Sequence, residues 1–237
     1  MPSRALVLFS GGQDSTTCLF WALHPDAERF GGFEHVEAIA FDYGQRHAVE
    51  IGQARQIAEA AGVPFHVADL SGLLGGSALL ADEAADTEAP HTLAPDLPAS
   101  FVPGRNALFL TAAASRAFLS ETRDLVTGVC QTDYSGYPDC RLGFIEAQQK
   151  ALSLALDAPL RIHTPLMRLT KAETWKLAKD LGTVRGLDVL ETVREKSHTD
   201  YHGDRSTRNE WGYGRLDNPA SVLRAKGYEE AKTNGWV

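Results

Sequence analysis

Ser10, Gly11, Gly12, Gln13, Asp14 and Ser15 stand between an apolar run of strand length, Leu6 to Phe9, and a stretch that continues as a helix from Thr16 to Trp21. At a strand-to-helix turn, residues of these types can hold an anion. Free backbone N–H groups and the positive end of the helix dipole face the turn. The glycines let a phosphate approach backbone that a Cβ would block. The spacing is neither G-x-G-x-x-G nor G-x-x-x-x-G-K-[ST], which excludes the dinucleotide and Walker arrangements. Two cations are placed to join such a site. Arg105 follows Pro103-Gly104 at the head of an apolar helix. Lys171 falls in the first turn of a helix opened by the capping-box pair Thr170 and Glu173, where the dipole disfavours a cation and a nearby phosphate would account for it.

The elements that must position these groups follow from periodicity. Strands are expected at Ala5–Phe9, Val36–Phe41, Phe65–Ala68, Leu125–Val129 and Leu160–His163. Helices are expected at Ala48–Ala61, Ala107–Leu119 with Asn106 as N-cap, Phe144–Leu156, and after Thr170. This alternation predicts an α/β fold with a parallel sheet and right-handed crossovers. Ligands of such sheets sit beyond the carboxyl ends of the strands, where both Ser10–Ser15 and Asp42–His47 fall. Residues 75–100, rich in alanine, acid and proline without period, read as a loop or lid. The stretch Cys130 to Arg141 is too polar and aromatic for a mere connection. A domain over 1–182 and a smaller unit over 183–237 are expected.

The chain has 237 residues, 43% of them hydrophobic, enough for one α/β core with a small appendage. A net charge of −8 argues against a nucleic-acid or anionic-membrane surface. No apolar run is long enough to span a bilayer, and no signal pattern opens the sequence. Three cysteines, Cys18, Cys130 and Cys140, form no C-x-x-C pair and fit a reducing cytoplasm.

Ser10–Ser15 resembles the PP-loop of ATP pyrophosphatases, which split ATP between the α- and β-phosphates. Together with Asp42–His47, Pro103-Gly104-Arg105-Asn106, Asp133–Asp139 and Thr164-Pro165-Leu166, it is similar to the QueC family, the 7-cyano-7-deazaguanine synthases of the queuosine pathway. The resemblance implies a Rossmann-like, adenine nucleotide alpha hydrolase-like, doubly wound parallel sheet with a small C-terminal helical subdomain. It implies an ATP-driven conversion of 7-carboxy-7-deazaguanine and ammonia to the nitrile through an adenylated carboxylate and an amide, by a homodimer. Phe9, Ser10, Gly11, Gly12, Gln13, Asp14 and Ser15 would hold ATP with Tyr43, Gln45, Arg105 and Lys171, accompanied by Mg²⁺. Lys171, Arg105 and Asp14 would serve catalysis. Asp133, Tyr134, Ser135, Tyr137, Asp139 and Arg141 would hold the deazaguanine. An acid suits its N–H edge, tyrosine can stack, and arginine can pair with the carboxylate. No glutaminase-like segment is present, so free ammonia is the expected nitrogen source.

The C-terminal segment departs from the family pattern of four zinc-binding cysteines. Their positions are Asp200, Arg215, Asn218 and Ser221, so structural zinc is expected to be absent, and His198 and His202 read as polar surface residues. An Asp200–Arg215 ion pair is the simplest replacement. Simultaneous loss of the cysteines leaves open a ligase that stops at the amide, one that passes the activated acid to another acceptor, or a non-catalytic nucleotide binder.

Overall fold

The computed structural model describes residues 3–44, 49–74, 89–132, 136–199 and 205–237. In chain order the elements are β1 (Arg4–Leu8), α1 (Gln13–Leu23), β2 (His35–Asp42), α2 (Val49–Ala60), β3 (Phe65–Asp69), β4 (Pro90–His91), β5 (Ala94–Pro98), α3 (Arg105–Leu119), β6 (Asp124–Val126), α4 (Leu142–Ala155), β7 (Arg161–His163), α5 (Lys171–Asp180), β8 (Thr183–Val184), β9 (Leu187–Asp188), α6 (Val189–Lys196), β10 (Arg208–Asn209), β11 (Gly212–Tyr213) and α7 (Pro219–Thr233). A five-stranded parallel sheet runs β3-β2-β1-β6-β7. The order reverses direction at β1, and the crevice beyond the carboxyl ends of β1 and β6 is the switch point where open α/β sheets receive ligands.

Period-two alternation assigns the two faces. Ala5 and Val7 of β1 pack with Phe20, Ile57, Trp175, Val193 and Tyr228, whereas Leu6 packs with Ile39, Leu110, Leu125 and Ile162. The first of these clusters includes residues from both 1–182 and 183–237. The paired strands β1 and β2 are apolar through their centres, Ala5–Leu8 and Ala38–Phe41, as buried parallel strands are. Among the described residues, no helix is long and apolar enough to cross a membrane.

Several local expectations need correction. The run Leu125–Val129 ceases to be strand at Val126. Thr127 N–H still reaches His163 O at 3.0 Å, and Gly128 then passes beneath the glycine turn. Asn106 is not the N-cap of α3. Gly104 is, with φ +70°, and Asn106 is the second helical residue. The orphan N–H of Asn106 donates to Asp139 Oδ2 at 3.0 Å, so the cap comes from a carboxylate 33 residues away. Within 75–100, residues 75–88 lie outside the described residues, and β4 and β5 form an antiparallel hairpin rather than irregular loop. Its prolines are tolerated because a two-stranded ribbon leaves outward N–H positions unpaired.

His198 is buried rather than on the surface, and His202 lies outside the described residues. Of the four positions that hold cysteines in the QueC pattern, Asn218 is the N-cap of α7, accepting from Ser221 N–H at 3.0 Å, and both side chains are buried. A helix cap thus joins two of the four positions where the resemblance leads one to expect cysteine. Asp200 lies outside the described residues, and with it the Asp200–Arg215 pair. No group of three or more His, Cys, Asp or Glu suited to a metal occurs among the described residues.

Candidate active site

The glycine turn is wedged between α2 and residues 197–199. Phe9 N–H donates to Ile39 O at 2.8 Å as β1 ends. Gly11 then takes φ +81°, and a Cβ there would lie 2.8 Å from the Ala54 backbone nitrogen and 3.0 Å from Glu50 O. On the other side, His198 N–H donates to Gly11 O at 2.9 Å. Ser10 Oγ lies 3.1 Å from Ser15 Oγ and accepts from Gly12 N–H at 3.4 Å, while the Ser15 hydroxyl donates to Gly12 O at 3.3 Å.

Gly12 is the N-cap of α1 and supplies no side-chain cap, leaving the first-turn N–H groups of α1 open towards the crevice. Gln13, at the first helical position, is 3% exposed, and neither atom of its amide has a hydrogen-bond partner. Buried polar groups are ordinarily satisfied. An orphaned amide at the head of an uncapped helix fits a site that a polar ligand completes.

Lys171 Nζ donates to Asp14 Oδ2 at 2.8 Å and Oδ1 at 3.1 Å. The expected first-turn cation therefore has a partner on α1, 157 residues away in sequence, as well as any phosphate it meets. Thr170 and Glu173 complete the capping box, with Glu173 N–H to Thr170 Oγ1 at 3.2 Å and Thr170 N–H to Glu173 Oε2 at 2.8 Å. Gly227 lets α7 press on this lysine, since a Cβ there would lie 2.7 Å from Lys171 Cγ.

Arg105 opens α3 with its guanidinium carbon 5.9 Å from the Tyr43 ring centroid. Burial raises the Tyr43 phenol, opposed by the Arg105 charge. Glu50, in the first turn of α2, joins them. Burial pushes its carboxyl up to about 7 against the pull of Arg105. Sequence reasoning missed Glu50, although an acid at the head of an apolar helix just after Asp42–His47 was a usable signal. Because folding raises this pKa above about 4.5, the folded state keeps a proton that the unfolded chain has released, and stability falls as pH climbs towards about 7. Glu50→Gln should flatten the decline of melting temperature across that window; an unchanged slope would show that Glu50 does not carry it.

Tyr137 is buried, its hydroxyl 2.7 Å from Ser100 Oγ, and Asp139 is buried against Asn106. Arg141 is exposed and donates to Gly136 O at 3.2 Å. Gln45, Asp133, Tyr134 and Ser135 lie outside the described residues. The structure therefore joins Asp14 with Lys171, Tyr43 with Arg105, and Tyr137 with the β4–β5 hairpin through Ser100. Cys130 is buried, and its thiol donates to Leu169 O at 3.1 Å.

This geometry, an uncapped glycine turn at a switch point with lysine and arginine from separate helices, coincides with a match to a family described as queuosine biosynthesis protein QueC over residues 4–232. The chain belongs to the QueC family. The 7-cyano-7-deazaguanine synthase of Wolinella succinogenes is 49% identical over 230 residues, covering 96% of this chain and 93% of that protein. The namesake from Alkalilimnicola ehrlichii is 48% identical over 233 residues, covering 94% and 93%. Among solved structures, an NMN synthetase from Francisella tularensis is similar with a TM-score of 0.45 at 12% identity, covering 98% of this chain and 86% of that one.

Proposed function

We propose that this chain is an ATP-dependent synthase that converts 7-carboxy-7-deazaguanine and ammonia to 7-cyano-7-deazaguanine. A carboxylate is a poor electrophile. Attack of its oxygen on the α-phosphorus of ATP expels pyrophosphate and leaves an acyl adenylate, from which ammonia displaces AMP to give the amide. A second ATP activates the amide oxygen, which departs with AMP as the nitrile forms. The observation that carries this reading is the Lys171–Asp14 pair at the mouth of the uncapped PP-loop, in a chain about half identical to proteins named for this activity.

The residue roles belong to the same proposal. The turn from Phe9 to Ser15 holds the phosphates, and Lys171 and Arg105 offset the charge that develops on pyrophosphate. Asp14 accepts from the ammonium of Lys171 through both carboxylate oxygens and so holds that cation at the head of α1, beside the phosphate turn. Mg²⁺ accompanies ATP as counter-ion. Tyr43 and Gln45 hold the nucleoside, and the loop from Asp133 to Arg141 holds the deazaguanine.

We also propose that the C-terminal subdomain folds without zinc, since Asn218 and Ser221 offer a cap where thiolates would be needed. Dialysis against a chelator should then leave the melting temperature unchanged, whereas stoichiometric bound zinc and a lowered melting point would contradict this. To test the activity, the protein is incubated with Mg-ATP, 7-carboxy-7-deazaguanine and ammonium, and the small-molecule masses are read. Nitrile with AMP is expected. Amide alone, or an adenylate awaiting another acceptor, would replace this assignment with a diverted ligase, and intact ATP would remove it.

A further inference from the structure

Arg224, on α7, is wholly buried, with 0% of its surface exposed. Its four hydrogen bonds all run to neutral oxygens: Nε to Trp211 O at 3.1 Å, Nη1 to Ser197 Oγ at 2.9 Å and Thr199 Oγ1 at 2.8 Å, and Nη2 to Val193 O at 2.8 Å. Its guanidinium carbon lies 5.4 Å from the Trp175 ring centroid and 5.9 Å from that of Trp211. A cation buried without a hydrogen-bonded carboxylate is expensive, and apolar side chains of similar volume are often as good or better for stability alone. Desolvation lowers this guanidinium to about 9, and the opposing influence is the carboxylate of Asp14, in the PP-loop.

The two hydroxyls gripped by Nη1 belong to Ser197 and Thr199, the residues on either side of His198. His198 in turn donates its N–H to Gly11 O at 2.9 Å, and its own carbonyl lies 3.4 Å from where a Cβ on Gly12 would stand. Residues 197–199 therefore form one wall of the PP-loop, and a planar fork of donors fixes that wall on both sides of the contact. Gly212, at φ +114°, makes room for the fork, because a Cβ there would lie 2.7 Å from Arg224 Nη2. Lysine, a point donor on a flexible stem, cannot span both hydroxyls and two carbonyls.

We propose that Arg224 is a positioning residue for ATP: through Ser197 and Thr199 it holds His198 against Gly11 and so fixes the PP-loop in its phosphate-accepting shape. The proposal rests on the reading of Ser10–Ser15 as the ATP loop. It does not depend on which acid is activated or on where the reaction stops.

The test compares the full-length protein with Arg224→Lys at a temperature where both are folded. Dissociation constants for Mg-ATP and for 7-carboxy-7-deazaguanine are measured by calorimetry, and amide hydrogen exchange is followed at His198. Losing hydrogen bonds from a charged donor should weaken Mg-ATP binding by about tenfold or more. The acid should bind as to the parent, and the His198 amide should exchange faster. If Arg224→Lys does not fold, Thr199→Val keeps the side-chain shape, removes one acceptor, and should move the same two readouts in the same direction. A folded variant with a lower melting point, but with parental ATP affinity and parental His198 exchange, would make Arg224 a staple only and overturn the proposal. If the parent binds ATP yet makes no nitrile, the synthase reading fails while this one stands on the affinity difference. If the parent does not bind ATP, both fall.

Discussion

Lys171→Met should reduce formation of the acyl adenylate by about 10³-fold, the scale seen when one preorganised charge or donor facing a developing anion is removed. The variant should still fold, because α5 keeps its capping box and its buried Trp175. The measurement is the single-turnover rate of pyrophosphate release at saturating ATP, with melting temperature recorded beside it. Asp14 complicates the simple reading, since removal of the ammonium leaves a partly buried carboxylate without its 2.8 Å partner at the place where phosphate must come. Asp14→Asn alone should therefore be damaging through loss of alignment, and the double variant should cost less than the sum of the two. Full additivity would mean that the pair is not a unit. A Lys171→Met variant with near-parental turnover would remove Lys171 from the site.

Gly11→Ala is the second large effect. The residue lies at φ +81°, where an L side chain is strained, and its Cβ would meet the backbone of Ala54 at 2.8 Å. Helix backbone cannot move aside as a flexible side-chain end can, so the turn itself must shift. A displacement of about 1 Å in a phosphate-holding turn can cost about 10²-fold in rate. The neighbouring glycine supplies the control. Gly12 has φ −75°, and a Cβ there would make only ordinary contacts, 3.4 Å to His198 O and 3.5 Å to Ser10 Oγ. Gly12→Ala should therefore melt like the parent and lose ATP affinity only where a phosphate must approach the backbone. Calorimetric titration with Mg-ATP, alongside thermal unfolding, separates strain at Gly11 from obstruction at Gly12. Parental affinity in both variants would contradict placement of the phosphates on this turn.

The strand–turn–helix at the N-terminus, the five parallel strands and the Thr170–Glu173 cap were legible in the sequence because each is encoded within a few residues, by alternation, helical spacing or a capping pair. The QueC motifs were legible for the same reason. Contacts made by folding were not. Asp14 and Lys171 are 157 residues apart, Asn106 and Asp139 are 33 apart, and no periodicity announces that either will meet. Asn106 looked like a cap because asparagine favours that position, yet Gly104 could take the left-handed backbone that starts α3 two residues earlier, and a distant carboxylate supplied the acceptor. His198 looked like a surface histidine in a polar run, yet the grip of Arg224 on its two neighbours draws that run beneath the PP-loop. The Asn218 cap has a local signal, asparagine directly before Pro219 at the first helical position, although the resemblance assigns that position to a cysteine.

The most direct test of the adenylation at the centre of this account is exchange of labelled pyrophosphate into ATP, measured without ammonia. The account predicts exchange that requires 7-carboxy-7-deazaguanine and vanishes in Lys171→Met, because the reversible step is attack of that acid on the α-phosphorus. ADP and phosphate as the products, or exchange indifferent to the acid, would contradict it.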